Sequence, residues 1–304
     1  MGKGWSVFFG VSLLVMFVFT LAAPFYGWWL PEAVSSFAPE VDGLFYLILW
    51  LVGFFFVLTQ VILVYAMWRF AGQPGRRAVY THGNHRLELL WTAVPGVILF
   101  GLAMGQIAVW QNMKYQSQMP APDVTLTVLG RQWEWRMRYP SDAARFHWSA
   151  DADEATIRDK RLQARSWAEN PEYDDVHVAN ELHTYVGANT RVYVRTQDVI
   201  HSFTMPHMRV KQDMLPGKTI PLWFKPTRAN TRFDPATGQL RPPASPADAW
   251  EIACQELCGG RHYAMRGRVY VHDSKESYEA WLVYTRQQQF SRVADLPSVR
   301  KEQQ

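Results

Sequence analysis

Three long stretches near the N-terminus contain no charged residue. They cover residues 4–31, 44–68 and 89–113. Each exceeds the roughly 20 residues that a helix needs to cross a bilayer. A buried helix of a soluble protein would also be apolar, but three such stretches so close together favour a membrane region. We predict this region over residues 1–115, with helices at about 5–30, 44–68 and 89–112.

The distribution of Lys and Arg predicts the orientation of these helices. Lys3 precedes the first stretch, and the loop between the second and third contains Arg69, Arg76, Arg77 and Arg86. The loop 32–43 has neither Lys nor Arg. Positive loops stay inside, so the N-terminus should lie inside and everything after Lys114 outside. The first stretch could instead be a cleaved signal peptide, although its length and Pro24 favour a retained helix.

Beyond about residue 120 the pattern changes to short stretches of alternating apolar and polar residues. These are rich in Val, Ile, Thr and aromatic residues and are separated by Gly, Pro and Asp turns, which is typical of strands. A small β-sandwich or barrel is therefore expected over residues 120–285. The clearest predicted strands are 124–128, 190–194, 220–224, 250–253 and 266–271.

Two stretches read as insertions into this β-domain. Residues 142–175 are charged and could contain a short helix at 157–168, whereas 227–247 are rich in Pro, Arg and Ala and predict an irregular loop. Residues 277–289 predict a terminal amphipathic helix, and 286–304 a polar tail.

The most informative motif is Cys254-Gln-Glu-Leu-Cys258-Gly-Gly-Arg-His262-Tyr-Ala-Met265, which holds both cysteines of the chain. A disulfide is one alternative outside the membrane, and a structural zinc site is another. A helix with these side chains on one face is a third, although Gly259-Gly260 favours a loop. Thiolate, imidazole and thioether together suit copper. Since a single blue-copper ion needs one Cys, the second allows two thiolates to bridge two coppers.

A second imidazole must come from elsewhere in the domain. His201 follows a predicted strand in Asp198-Val-Ile-His-Ser-Phe203, and His207 is its rival. The remaining candidates have no Cys-rich neighbourhood and are expected to be structural or solvent-facing: His147, His177, His183 and His272.

The charge balance argues against a nucleic-acid partner. The formal net charge is +4, and basic and acidic residues are nearly balanced beyond Gln116. No basic block or aromatic-interleaved patch appears there, so no nucleic-acid partner is expected.

Together these motifs resemble subunit II of haem–copper cytochrome c oxidase. The resemblance covers nearly the whole chain. It rests on the apolar hairpin, the Cys254–Met265 motif, Leu87-Glu-Leu-Leu-Trp-Thr-Ala-Val-Pro95, Gly130-Arg-Gln-Trp-Glu-Trp135 and Asp198–Phe203. It implies transmembrane helices followed by a cupredoxin-like Greek-key β-barrel.

The resemblance also implies how a binuclear copper centre of the CuA type would be held. His201 and Met265 would bind one copper. His262 and the backbone carbonyl of Glu256 would bind the other, with Cys254 and Cys258 bridging the two. In this family the Glu256 side chain turns toward a magnesium ion shared with the catalytic subunit.

Two further residues match functional positions of the family. Trp133 matches the exposed tryptophan that receives the electron from cytochrome c. It could instead be a core aromatic, and strand alternation would put it on the same face as Trp135. Glu88 matches a carboxylate at the mouth of a proton path, although an acid favoured by the helix dipole would occupy the same place.

The expected function is electron transfer within a proton-pumping terminal oxidase of a prokaryotic plasma membrane, with the copper domain on the outer side. A cytochrome c-type donor would supply electrons, and haem in subunit I would receive them for reduction of oxygen to water. Further partners would be other oxidase subunits and membrane lipid.

Other functions remain open from the sequence. A CuA subunit of a nitric oxide reductase is the main alternative, because the difference lies in the partner subunit. A nitrous oxide reductase should carry a large additional copper domain, and a copper-storage protein or metallochaperone has no need for the tryptophan pair. Quinol oxidase subunits generally lack these copper ligands. The two insertions are unusual for the family and could serve a particular donor or a neighbouring complex.

Overall fold

A computed structural model describes residues 3–73, 75, 77, 80 and 82–294. The chain divides into two compact units. One comprises Met1–Pro31 and Glu40–Val109, and the other Glu32–Pro39 and Trp110–Gln304. Arg76 and residues 295–304 of the predicted tail lie outside the described residues.

Apolar helices dominate the N-terminal unit. Three spans among the described residues are long and apolar enough to cross a membrane: Gly4–Tyr26, Ala38–Arg69 and His85–Lys114. They consist of α1 (Gly4–Ala22) with a following 3₁₀ turn, α2 (Ala38–Arg69), α3 (His85–Gly105) and α4 (Ile107–Lys114). The helix α2 begins before the apolar stretch does, because Pro39 fits a first helical turn and Glu40 is favoured near the positive helix end.

Beyond Lys114, the described part of the C-terminal unit is built from short strands, two α-helices and short 3₁₀ turns. The helices are α5 (Glu154–Glu169) and α6 (Lys275–Ala294). The strands are β1 (Val124–Arg131), β2 (Glu134–Tyr139), β3 (Val176–Ala179), β4 (Glu181–Tyr185), β5 (Thr190–Thr196), β6 (His201–Met205), β7 (Val210–Met214), β8 (Ile220–Phe224), β9 (Phe233–Asp234), β10 (Gln239–Leu240), β11 (Glu251–Cys254) and β12 (Arg266–His272).

Two five-stranded sheets form the body of this unit, in the orders β3-β2-β1-β5-β8 and β4-β12-β11-β6-β7. The pairs β1–β5 and β4–β12 are parallel, and the other pairs are antiparallel. Side chains such as Leu126, Val192 and Phe203 are fully buried. Successive side chains of a strand point to opposite faces of the sheet, so each strand can direct apolar side chains into the core. The predicted fold class, apolar N-terminal helices followed by an all-β domain, is confirmed.

The first insertion contains a helix with a small core of its own. The helix α5 begins earlier than predicted because Asp153 caps it, its Oδ1 accepting from the Thr156 N–H at 2.9 Å. Buried residues join the insertion to β5: Phe146, Ala164, Trp167, Ala168 and Tyr193.

A buried ion pair ties this insertion to the first sheet. Arg138 on β2 donates to Asp175 Oδ2 at 2.5 Å, and Trp167 Nε1 donates to Asp175 Oδ1 at 2.9 Å. The Arg138 guanidinium also lies 4.2 Å from the centre of the Trp167 ring. Each charged or polar group in this cluster therefore has a partner, as burial requires.

The second insertion differs from the predicted irregular loop, because it contains the hairpin β9–β10. Phe233 is buried, and its N–H donates to Ser277 Oγ on α6 at 2.8 Å. Arg228 bonds the carboxylates of both Glu32 and Asp248. Polar contacts thus order a segment whose sequence predicts an irregular loop.

The helix α6 packs on the second sheet around a buried pair of histidines. It covers part of the predicted tail, since it continues to Ala294. His183 Nδ1 lies 3.1 Å from His272 Nε2, and His272 Nδ1 lies 3.0 Å from Ser277 Oγ. The Trp281 ring stacks on His183 with 3.7 Å between ring centroids.

Because these two histidines are buried, we predict that the free energy of unfolding decreases in acid. Burial and the neighbouring His183 lower the pKa of His272 to about 3, and burial lowers the pKa of His183 well below its ordinary value. The unfolded chain binds these protons near pH 6.5, so the folded chain loses stability as pH falls below about 6.5. The slope is about 1.4 kcal/mol per pH unit for each proton.

We expect His272→Gln, which keeps hydrogen-bonding groups but does not titrate, to reduce this pH dependence. The measurement is the midpoint temperature at which near-ultraviolet circular dichroism is lost, for the full chain in detergent between pH 7 and 5. His147→Gln, at an exposed position, is the control. Equal pH dependence in wild type and His272→Gln would contradict the prediction.

Candidate metal centre

The Cys254–Met265 motif forms a loop closed at both ends by β-structure. Cys254 ends β11, a 3₁₀ turn covers His262–Ala264, and β12 starts directly after Met265. The Cys254 N–H donates to the Met265 carbonyl at 3.2 Å. The motif is therefore not one helix. Gly259 contributes to the turn with φ of +114°, a conformation that glycine adopts without strain.

Strand pairing brings His201 to this loop. The strand β6 pairs with β11 so that Phe203 lies opposite Cys254, and the Gln255 N–H continues the ladder by donating to the Ser202 carbonyl at 3.1 Å. His201 is fully buried, and its Nδ1 lies 3.8 Å from Cys254 Sγ. His201 and Cys254 are far apart in the sequence, but they lie close together because they belong to neighbouring strands.

Both cysteines are free and buried. Their Sγ atoms lie 3.8 Å apart, and with one nitrogen of His201 they form a group whose ligand atoms lie within 4.8 Å of one another. In this geometry the sulfurs face each other without a bond. Two thiols and an imidazole can therefore act together on a metal.

The other predicted ligands approach the same two sulfurs. His262 Nδ1 lies 3.5 Å and Met265 Sδ 3.9 Å from Cys258 Sγ. The Glu256 carbonyl oxygen lies 3.2 Å from Cys254 Sγ, while Glu256 itself is exposed. The structure thus brings all six sequence-predicted residues together.

The donor set fits copper. Two thiols, two imidazoles and a carbonyl would also serve zinc, but a buried methionine thioether adds a soft, weak ligand of the kind found in copper sites. Burial and the neighbouring Cys254 raise the pKa of Cys258 to about 12. Since metals bind the thiolate, a cation must displace its proton.

Asp198 orients His201, a role that sequence reasoning missed. Its Oδ1 lies 2.9 Å from His201 Nε2. Burial raises the pKa of Asp198, but hydrogen bonds from the Gln132 backbone, His201 and the Val199 backbone outweigh it and bring the pKa below its ordinary value. An ionised carboxylate only accepts, so Nε2 donates and Nδ1 faces Cys254 with its lone pair. The available signal was the acid three residues before a candidate ligand.

Trp133 lies against the metal loop, in the turn between β1 and β2. It is half-buried, and its Nε1 donates to the Cys258 carbonyl at 3.2 Å. Trp135 is fully buried on β2, 5.5 Å from Phe203 between ring centroids. The expectation that the two tryptophans share one strand face is wrong, because Trp133 precedes the strand.

The remaining candidates lie apart from the sulfurs. His207 faces the Trp250 ring at 6.2 Å between centroids, and the His183–His272 pair packs under α6. Glu88 belongs to the N-terminal unit, in the first turn of α3. Its carboxylate lies 3.7 Å from His85 Nδ1 and is about half exposed.

Comparisons with known proteins agree with this architecture. Two family models match: cytochrome c oxidase subunit II, periplasmic domain, over residues 124–237, and the transmembrane domain of the same subunit over 23–109. The first match ends before the Cys254–Met265 loop, and the second begins after α1.

Full-length relatives extend the similarity across most of the chain. Cytochrome c oxidase subunit 2 of Cereibacter sphaeroides is 33% identical over 278 residues, covering 87% of this chain and 84% of that protein. An alternative cytochrome c oxidase subunit 2 of Bradyrhizobium diazoefficiens is 29% identical over 266 residues, covering 87% and 86%. The crystal structure of the periplasmic domain of subunit II from Bradyrhizobium japonicum is 22% identical, with a TM-score of 0.37 and coverage of 56% and 98%. The chain belongs to the cytochrome c oxidase subunit II family.

Proposed function

We propose that this chain holds a binuclear copper centre and is the electron-accepting subunit of a terminal oxidase. The observation that carries the proposal is the arrangement of the two buried thiols between two imidazoles. His201 lies beside Cys254, and His262 lies beside Cys258. One imidazole at each end of a sulfur pair suits two metals better than one.

Six residues would hold this centre. The thiolates of Cys254 and Cys258 would be shared by both metals. His201 and Met265 would complete one site, and His262 and the Glu256 carbonyl the other. When bound, the coppers would supply one-electron transfer. The protein contributes burial and a closed loop, which hold the donors in place and keep water away.

Trp133 is proposed to receive the electron. It combines an aromatic ring at the partly exposed surface with a direct hydrogen bond to the peptide of Cys258. A c-type cytochrome would dock against this surface. The electron would then pass to haem in subunit I, where oxygen would be reduced to water. The exposed Glu256 side chain is available for a magnesium ion shared with that subunit.

The membrane part completes the proposal. The three apolar helices would anchor the chain in a prokaryotic plasma membrane, with the copper domain on the outer side and lipid around the helices. Glu88 would act at the mouth of a proton path into subunit I. Its support is its half-exposed carboxylate at the start of α3.

Copper loading tests the metal assignment. We expect the full chain in detergent to bind two coppers and to give an electron paramagnetic resonance signal from one electron shared between two copper nuclei. Cys254→Ser should abolish this shared signal, because one bridge is lost. His201→Asn should also lose it, whereas His207→Asn, which changes the rival histidine, should not. A single-copper pattern in the wild type, or a preference for zinc, would contradict the assignment.

The co-purified catalytic subunit separates an oxidase from a nitric oxide reductase. A copper ion beside the high-spin haem of that subunit, together with oxygen consumption, is the result expected for the oxidase. Iron at that position, with reduction of nitric oxide, would point to the alternative.

The role of Trp133 can be tested by removing the hydrogen bond between its indole N–H and the Cys258 carbonyl. Trp133→Phe keeps an aromatic ring but loses the N–H, so we expect electron transfer from a reduced c-type cytochrome to slow by roughly tenfold, equivalent to a barrier increase of about 1.4 kcal/mol. The signal shared between two coppers should persist, because no candidate ligand is changed. Trp223→Phe, which removes an indole N–H bonded to the Asn112 carbonyl, is the control. An unchanged rate in Trp133→Phe would put the receiving residue elsewhere.

A further inference from the structure

The carbonyl of Cys258 accepts two hydrogen bonds from neighbouring side chains. Gln132 Nε2 donates at 2.9 Å and Trp133 Nε1 at 3.2 Å. A carbonyl oxygen has two lone pairs and can satisfy both donors. The peptide that follows a bridging cysteine is therefore fixed by two consecutive residues of the β1–β2 turn.

Gln132 also connects to the opposite end of the metal site. Its backbone N–H donates to Asp198 Oδ2 at 2.7 Å, and Asp198 Oδ1 lies 2.9 Å from His201 Nε2. One residue thus contacts both the loop that carries Cys258 and the carboxylate that orients His201. Displacement of Gln132 would therefore disturb both sulfur–imidazole pairs, Cys258 with His262 and Cys254 with His201.

The contact between turn and loop is tight. A Cβ atom added to Gly259 would lie 2.9 Å from Gln132 Nε2 and 3.2 Å from Trp133 Cζ2. Glycine at this position allows the loop to approach both side chains. The loop is otherwise largely exposed between Cys258 and Met265, so these two donors are major restraints on it.

We propose that Gln132 is a positioning residue for electron transfer: its amide holds the Cys258 peptide so that the Trp133 indole stays bonded to the same carbonyl. This inference rests on the proposed function for the identity of the metal centre. The physical restraint itself concerns the protein's own hydrogen bonds, so it can be measured without copper.

The test uses Gln132→Met in the full chain in detergent. Methionine has a similar length but no N–H donor. In the copper-free chain under reducing conditions, hydrogen exchange in the peptide covering 255–265 should accelerate roughly fivefold or more, the change expected from the loss of one net hydrogen bond. Exchange in β1 and β5 should stay unchanged, which shows that the variant folds.

Copper-loaded protein supplies the second measurement. Gln132→Met should still bind two coppers, with an altered hyperfine splitting and slower electron transfer from a reduced c-type cytochrome. Gln197→Met, which places the same substitution at an exposed position near the site, should match wild type in both measurements. Wild-type exchange in the 255–265 peptide of Gln132→Met, or a wild-type transfer rate, overturns the inference.

A double variant separates positioning from general loosening of the loop. The electron-transfer rate is measured in the two single variants and in the double variant Gln132→Met with Trp133→Phe. If Gln132 acts through Trp133, the double variant should be slower than wild type by a factor smaller than the product of the two single-variant factors. Independent, multiplicative effects overturn the inference. Absence of a two-copper signal in wild type would instead contradict the proposed function, while the exchange result in the copper-free chain would still stand.

Discussion

The pairing of β11 with β6 on one side and β12 on the other is the constraint on which the candidate metal site depends. It holds Cys254 at the end of one strand and brings His201 alongside from another. The intervening loop must then return to β12, which fixes Met265 opposite the Cys254 N–H. The backbone ladder therefore determines where the donors meet, and side-chain packing needs only to orient them.

The candidate ligands are oriented by side chains that are not candidate ligands themselves. Asp198 sets which nitrogen of His201 faces the sulfur, and the Gln132 and Trp133 side chains fix the Cys258 peptide. Such contacts matter because small displacements of donors weaken a preorganised site. Burial, which shields Cys258 from water, also raises its pKa to about 12, so the Cys258 thiol loses its proton only when a cation displaces it.

Sequence patterns were sufficient for the parts of the molecule that follow one periodicity or one motif. The apolar helices could be predicted because the bilayer requires continuous apolar length. The Cys254–Met265 motif could be singled out because its combination of residue types is unusual. Gln132 could not be identified in this way, since its role depends on a turn meeting a loop more than a hundred residues away. The same limit applies to Trp133, whose position depends on where β1 ends rather than on alternation.

The insertions show how local composition can mislead. Residues 227–247 look irregular because Pro, Ala and Arg are frequent there, yet Arg228 bonds Glu32 and Asp248, and Phe233 is buried beside α6. The first insertion is likewise joined to β2 through Arg138 and Asp175. In both cases the contacts go to the β-scaffold and its flanking segments. Both insertions therefore stabilise the sandwich that holds the Cys254–Met265 loop.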